Sequence, residues 1–367
     1  MQVPFFDIHR VHKPVRREIS NKLVTVIDNG EFILGPEVEN FEKEFANYIG
    51  TKSACGVDNG TSALELILRA LNIKEDDEVI TTPASFIASS STIAFTGARP
   101  IFVDIDPLTY TINSELIKSR ITNKTKAILP VHLYGQSADM TEILSIAEEY
   151  GLHVIEDSCE AHGATYTGKK VGSFGTASAF SFYPSKNLGA LGDAGIIVSS
   201  SENLIEKVRK LRNYGQSEKY RHEELAFNRR LDTIQAAVLS LKLPFLDKQN
   251  QQRKDAAKLY NELLQESKII TPKVGDNRDH VYYTYVIQSE NRDNLENYLR
   301  ENGAQTGKHF PIPIHLQNAF SYLKHNKGDF PEAEKLFSRC LSLPMFPGLT
   351  KEEIEYVASK ILEFENK

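Results

Sequence analysis

Short apolar runs recur through the first half of the chain at Ala54–Val57, Glu78–Thr81, Pro100–Val103, Ala127–Val131, His153–Glu156, Ala177–Phe182 and Ile196–Ser199. Runs this short, apolar on both faces and separated by helical patterns, predict buried strands of a largely parallel α/β sheet. From about Arg229 the pattern changes. Leu231, Ile234, Ala237, Val238, Leu241 and Leu246 recur at helical spacing ahead of the polar stretch Asp247–Asp255. This predicts one long helix leading from a large domain, residues 1–240 with an N-terminal arm at 1–30, into a smaller α+β domain, residues 241–367. In the latter, Tyr282–Ile287 reads as strand, and Leu295–Asn302 and Lys351–Phe364 as helices.

Composition narrows the function classes. A net charge of -6 over 367 residues argues against nucleic acid as the main partner, because phosphate-backbone binding calls for a broad basic surface. Any anion must then be bound locally. The three cysteines, Cys55, Cys159 and Cys340, are widely spaced and suggest neither a disulfide framework nor a zinc site. No run approaches the ~20 apolar residues of a membrane span, and the N-terminus lacks a signal-peptide core. The expectation is a soluble, cytoplasmic protein without membrane partners.

In parallel sheets, chemistry gathers at the carboxyl ends of the strands. Asp157 closes the fifth run, and Lys186 lies just past the sixth, in Ser181-Phe-Tyr-Pro-Ser-Lys186-Asn-Leu-Gly. A lysine amine can form a Schiff base with an aldehyde cofactor, and a carboxylate can keep a pyridine nitrogen protonated; the pair suits pyridoxal phosphate. Asn59-Gly60-Thr61-Ser62 precedes the apolar helical stripe Ala63, Leu64, Leu66, Ile67, Ala70 and Leu71. It is either a phosphate cup built on a helix start or an ordinary helix cap. Asp157 can likewise be a capping acid, and Lys186 a surface lysine. Gly189, Gly192 and Gly195 do not form GxGxxG, which speaks against a dinucleotide.

These segments resemble, in order and wording, the DegT/StrS family of pyridoxal-phosphate-dependent nucleotide-sugar aminotransferases. The resemblance runs from Pro4-Phe-Phe-Asp7 to Leu343–Thr350, and includes Asn59–Leu64, Pro130–Gly135, Glu156-Asp157 with Ala161-His-Gly163, and Asn228–Asp232 leading to Gln235–Ala237. It implies an aspartate-aminotransferase-like fold (fold type I) with a seven-stranded sheet. It also implies that Lys186 is the covalent anchor of the cofactor, that Asp157 pairs with the ring nitrogen, and that Gly60, Thr61 and Ser181 hold the phosphate. Phe86 matches an aromatic stacked on the cofactor. Asn228 matches an asparagine that reaches the other subunit's phosphate, which implies a homodimer with shared sites. Glu160 stands where the family usually has glutamine; it must either be protonated to donate a hydrogen bond, or turn to another partner such as His162.

The implied reaction takes L-glutamate as amino donor and a nucleotide-linked keto-sugar as acceptor. Tyr183 and Asn187–Asp193 are most similar to members that aminate C3 of dTDP-3-keto-6-deoxyhexoses; a 4-keto sugar is the alternative. His162, Arg229, His309 and His315 are further candidates for the sugar. Arg209, Lys210, Arg212, Lys219, Arg221 and Arg229 can meet its diphosphate or form a solvated face. His309 and His315 lack acids or cysteines at ligand spacing, so no metal is expected. A related dehydratase branch replaces the lysine with histidine, and a non-catalytic regulator could lose Lys186 or Asp157; both residues are present.

Overall fold

A seven-stranded sheet lies at the centre of the protein in the computed structural model, which describes residues 1–366. Its strands are β1 (Ser53–Val57), β2 (Glu78–Thr81), β3 (Arg99–Phe102), β4 (Thr125–Ile128), β5 (His153–Asp157), β6 (Ala177–Ser181) and β7 (Gly195–Ser199), the seven runs read from the sequence. Their spatial order is β1-β7-β6-β5-β4-β2-β3. Only β7 runs antiparallel to its two neighbours. β4 ends earlier than its apolar run because Pro130 has no N–H for the ladder. The chain rejoins through an isolated bridge between Val131 and Asp157, where the Pro130 carbonyl accepts from Asp157 N–H at 2.9 Å.

Helices α1 (Ile8–His12), α2 (Arg16–Asn29), α3 (Pro36–Ile49), α4 (Gly60–Ala70), α5 (Ala88–Phe95), α6 (Met140–Tyr150) and α7 (Glu202–Leu211) complete the first part of the chain. α4 is buried almost all round, with Leu64, Leu66, Ile67 and Leu68 at most 1% exposed. It lies between the sheet and other helices, and its one polar stripe, Thr61, Glu65 and Arg69, includes a buried Glu65 paired with Arg69. The long helix predicted from Arg229 is two: α8 (Thr233–Lys242) and α9 (Leu246–Leu263), separated by a 3₁₀ turn at Leu243–Phe245. Pro244 breaks the backbone ladder there while the apolar repeat continues across it, so periodicity does not reveal the break.

A second core forms around β8 (Tyr285–Gln288), paired antiparallel with β9 (Cys340–Leu343), and helices α10 (Arg292–Glu301) and α12 (Lys351–Glu365), whereas α11 (Pro331–Arg339) packs its Ala333, Leu336 and Phe337 into the first. Tyr260 of α9 stacks on Tyr285 at 4.9 Å within the second. Val3 belongs to the same core, and Arg10 makes a bidentate contact with Glu353 at 2.9 and 2.8 Å, so the chain's start is fastened to its end. Arg253, also on α9, is 2% exposed and donates to the carbonyls of Tyr282, Tyr283 and Met345. Burial without a carboxylate lowers it to about 10. Among the described residues no helix is long and apolar enough to cross a membrane, and all three cysteines are unpaired.

Glu156, fully buried on β5, organises the connection into β6. Its carboxylate accepts from the N–H groups of Gly172, Phe174 and Gly175 at 2.7, 2.9 and 2.7 Å, and faces His132 Nε2 at 3.1 Å. This fixes the segment just before the strand that ends at Ser181. Glu156→Ala strands those buried donors, and each costs about 1–3 kcal/mol when unsatisfied. A loss of at least ~3 kcal/mol in unfolding free energy is expected in urea titration; a loss below 1 kcal/mol would contradict the clasp.

Candidate active site

β5 and β6 deliver the two residues singled out from the sequence to the same edge of the sheet. Asp157 ends β5 and is 6% exposed; its oxygens accept from Ser89 Oγ at 2.7 Å and from Cys159 N–H at 3.2 Å. Ser89 in turn meets Ser85 Oγ at 2.7 Å. Lys186 follows β6 through a turn closed by its N–H on the Tyr183 carbonyl at 2.8 Å, with Pro184 at the position such turns favour. Its Nζ lies 3.3 Å from Glu160 Oε1 and 4.0 Å above the Tyr283 ring. Burial opposes charge on this amine, but Tyr283, Glu160 and Cys159 outweigh it and hold the lysine above its ordinary range.

Glu160 turns to Lys186 and to the backbone of Tyr134, whose N–H it accepts at 2.8 Å, rather than to His162. His162 sits behind the site against Phe180 and Phe182 at 5.4 and 5.6 Å, with neither ring nitrogen hydrogen-bonded. Burial, then the charge of Lys186, lowers it to about 3, so it is neutral. His309 does reach the site. Its ring packs on Tyr134 and Tyr283 at 6.5 and 6.0 Å, and Nδ1 contacts Ser342 Oγ at 2.7 Å. Burial lowers it as well. Tyr134, Tyr282 and Phe310 around this pocket have φ of 60°, 46° and 58°. Left-handed backbone at large side chains costs about 1–3 kcal/mol each and concentrates at functional sites.

Beside Lys186 the start of α4 meets the end of β6. A Cβ on Gly60 would lie 2.7 Å from Ser181 Cβ and 2.9 Å from Cys159 Sγ, so only glycine fits. Asn59 caps the helix by accepting from Ser62 N–H at 2.8 Å, leaving the first N–H groups, at Gly60 and Thr61, without a carbonyl one turn back. The segment is thus a helix cap that leaves two backbone donors at the helix start. Phe86 is 55% exposed and lies 5.9 Å from Phe310. Among the described residues no cluster of His, Cys, Asp and Glu is suited to hold a metal ion.

The other candidates have partners or surroundings of their own. His315 is buried against Phe330 and faces Glu334 at 3.0 Å. Arg229 pairs with Glu65 at 2.5 Å, Arg209 and Arg212 turn inward onto Glu42, and Lys210 pairs with Glu223. Most of the basic cluster is thus neutralised within the chain, leaving Lys219 and Arg221 in an exposed hairpin. Tyr183 is 55% exposed and Asn228 is exposed. Sequence reading missed Tyr283, Tyr134 and Ser89. Ser85 and Ser89 are spaced one helical turn apart, a usable signal; Tyr283 reaches Lys186 only through tertiary packing.

Residues 14–362 match the DegT/DnrJ/EryC1/StrS aminotransferase family. The chain is 45% identical to a protein from Geobacillus stearothermophilus called pleiotropic regulatory protein, over 99% of both. It is 44% identical, over 98% of both, to the dTDP-3-amino-3,6-dideoxy-alpha-D-galactopyranose transaminase of Aneurinibacillus thermoaerophilus. Among solved structures, that of S. venezuelae DesV in complex with a ketimine intermediate superposes with a TM-score of 0.98 at 40% identity, covering 100% of this chain and 99% of that one. With the match spanning nearly every residue and the lysine, acid and helix start assembled at one sheet edge, the chain belongs to the DegT/DnrJ/EryC1/StrS aminotransferases, a pyridoxal-phosphate-dependent family.

Proposed function

We propose that this enzyme moves the amino group of L-glutamate to C3 of a nucleotide-linked 3-keto-6-deoxyhexose, with a dTDP-sugar as substrate. The observation that carries the chemistry is the Lys186 amine held between Glu160 and Tyr283 beside the start of α4. The choice of sugar is supported by the Aneurinibacillus relative, which matches over nearly its whole length and is named for a 3-amino sugar. The Geobacillus relative's name favours a regulator, but Lys186 and Asp157 sit together here in a form a regulator does not need.

The residues present fit pyridoxal phosphate. Gly60 makes room at the helix start, which with Thr61 and Ser181 would hold the phosphate. Phe86 offers an exposed ring face, and Asp157 a buried carboxylate for the pyridine nitrogen. When bound, the cofactor supplies an electron-accepting ring and a carbon that carries the amino group from donor to sugar. Lys186 takes the proton from the α-carbon of glutamate and, in the second half-reaction, delivers one to C3 of the sugar. Ser89 and the Cys159 N–H fix the Asp157 carboxylate so that its charge stays at one point. In the protein without cofactor Glu160 keeps the lysine as an ammonium, and His309 with Tyr283 walls the site on the side of the second core.

Loaded enzyme run in reverse on a panel of 3-amino and 4-amino nucleotide sugars should turn over the 3-amino compounds. Lys186→Ala should lose borohydride-fixable cofactor and fall at least ~10³-fold in kcat. Turnover of 4-amino sugars alone would refute the C3 assignment, and cofactor bound without glutamate turnover would favour the regulator.

Glu160 raises the Lys186 pKa, so Glu160→Gln should lower it and enlarge the free-amine fraction at neutral pH. Stopped-flow uptake of pyridoxal phosphate by unloaded protein should then be faster in the variant at pH 7, and the two should converge at high pH. Equal rates at pH 7 would remove Glu160 from this role.

We further infer a homodimer with shared sites. Asn228, exposed in the single chain, lies on the segment paired with Asn213 and is free to reach a second subunit. Sedimentation should give a dimer, with Asn228→Ala still dimeric but retaining cofactor several-fold less tightly; a monomer with full activity would exclude this arrangement.

A further inference from the structure

The turn carrying Lys186 is gripped from α8 at two backbone groups. Gln235 Oε1 accepts from Leu191 N–H at 2.8 Å, and Lys242 Nζ donates to the Gly189 carbonyl. Lys242 is 4% exposed, and its other partner is His12 Nε2 of α1 at 3.1 Å. No carboxylate forms an ion pair with it among the described residues. Burying an ammonium without an anion is costly, and an apolar side chain of similar length would serve packing better. The lysine therefore requires another reason to be there, and the group it holds provides one. Gly189 is pressed against Pro184, where a Cβ would come within 2.3 Å of the Pro184 carbonyl, so its own carbonyl is fixed relative to the Lys186 turn. Asn187 ties the same turn to Asn250 and to the Val281 carbonyl, at 2.8 and 3.0 Å.

We propose that Lys242, together with Gln235, is a positioning residue for Lys186, holding the turn from Lys186 to Leu191 so that the amine faces the cofactor. This rests on the assignment of Lys186 as cofactor anchor. The groups facing Lys242 are the His12 imidazole from α1 and the Gly189 carbonyl from the turn. Burial, then the charge of Lys242, then His9, lowers His12 to about 4, so its Nε2 accepts and its Nδ1 carries the proton. Burial alone lowers Lys242 to about 8. As pH rises through that value, the charge-assisted bond to Gly189 becomes an ordinary one and the grip loosens. Global stability moves the other way. The folded lysine titrates near 8 and the unfolded one near ~10.4, so between these values the unfolded chain binds more protons and Lys242's contribution to stability rises with pH. A lysine that only packs would leave cofactor affinity unchanged.

The test compares wild-type and Lys242→Met protein in pyridoxal phosphate titrations and thermal melts from pH 7 to 9. K242M should bind the cofactor about tenfold more weakly at pH 7, with its deficit against wild type narrowing toward pH 9, and melt at or above the wild-type temperature. Equal affinity at pH 7 overturns the proposal. Should K242M not fold, Gln235→Ala carries the test from the Leu191 side, with several-fold weaker binding expected and unchanged binding overturning it. Borohydride fixation separates the two levels: wild type without cofactor on Lys186 overturns the anchor assignment and this inference together. Wild type with it, together with K242M of equal affinity at pH 7, overturns this inference alone.

Discussion

A lysine kept almost out of water must be held by something, and around Lys186 nearly every neighbour exists to hold it. Its side chain is 12% exposed, with a carboxylate 3.3 Å away and an aromatic face 4.0 Å below. Buried charges persist only when paired and hydrogen-bonded, and Glu160 meets that condition by giving one oxygen to the lysine and the other to Tyr134 N–H. Tyr134 reaches that oxygen with its backbone in the left-handed region, and Tyr283 is presented by a segment tied down through Arg253. The strain and the buried guanidinium are thus consequences of placing one amine.

The sheet supplies the geometry that makes such placement possible. Strands β5 and β6 are neighbours and parallel, so Asp157 and the Lys186 turn emerge at the same edge although the chain between them runs from residue 158 to 176. α4 brings its N-terminus to the same edge, and Gly60 allows its contact with Ser181. Three elements far apart in sequence therefore meet in one place, each ending where its own strand or helix pattern ends. Glu156, one residue before Asp157 and pointing to the opposite face, locks the connection between the two strands. Adjacent residues of one strand divide the work, one toward structure and one toward the site.

This division explains what the sequence could reveal. The seven strands were legible because buried parallel strands are short and uniformly apolar, and Asp157 and Lys186 stood out by lying just past such runs. The break between α8 and α9 was hidden because the apolar repeat crosses Pro244 undisturbed. Six basic residues after Lys186 suggested an anion surface, yet Arg209 and Arg212 fold back onto Glu42, a partner from α3 that no local spacing identifies. His315 failed for the same reason, being drawn to Glu334 and Phe330. Local pattern locates the strand ends where chemistry gathers; which charges are spent on one another is decided by tertiary packing.

The surface around the amine points to what the single chain leaves unfinished. Tyr183, whose carbonyl closes the Lys186 turn, and Phe86, whose ring lies near Phe310, are each 55% exposed, and Phe32, Ile33 and Leu191 add further bare apolar side chains. Leu191 belongs to the turn that α8 grips, and Ile33 pairs with Asp232 just before α8, so this exposure is continuous with the scaffold of Lys186 rather than scattered. Isolated apolar residues on a surface need no explanation, but rigid apolar residues gathered beside a buried amine do. The proposed cofactor ring would cover Phe86, and the proposed second subunit would cover Phe32, Ile33 and Leu191. Both proposed contacts would extend the enclosure that Glu160 and Tyr283 already give the Lys186 amine within one chain.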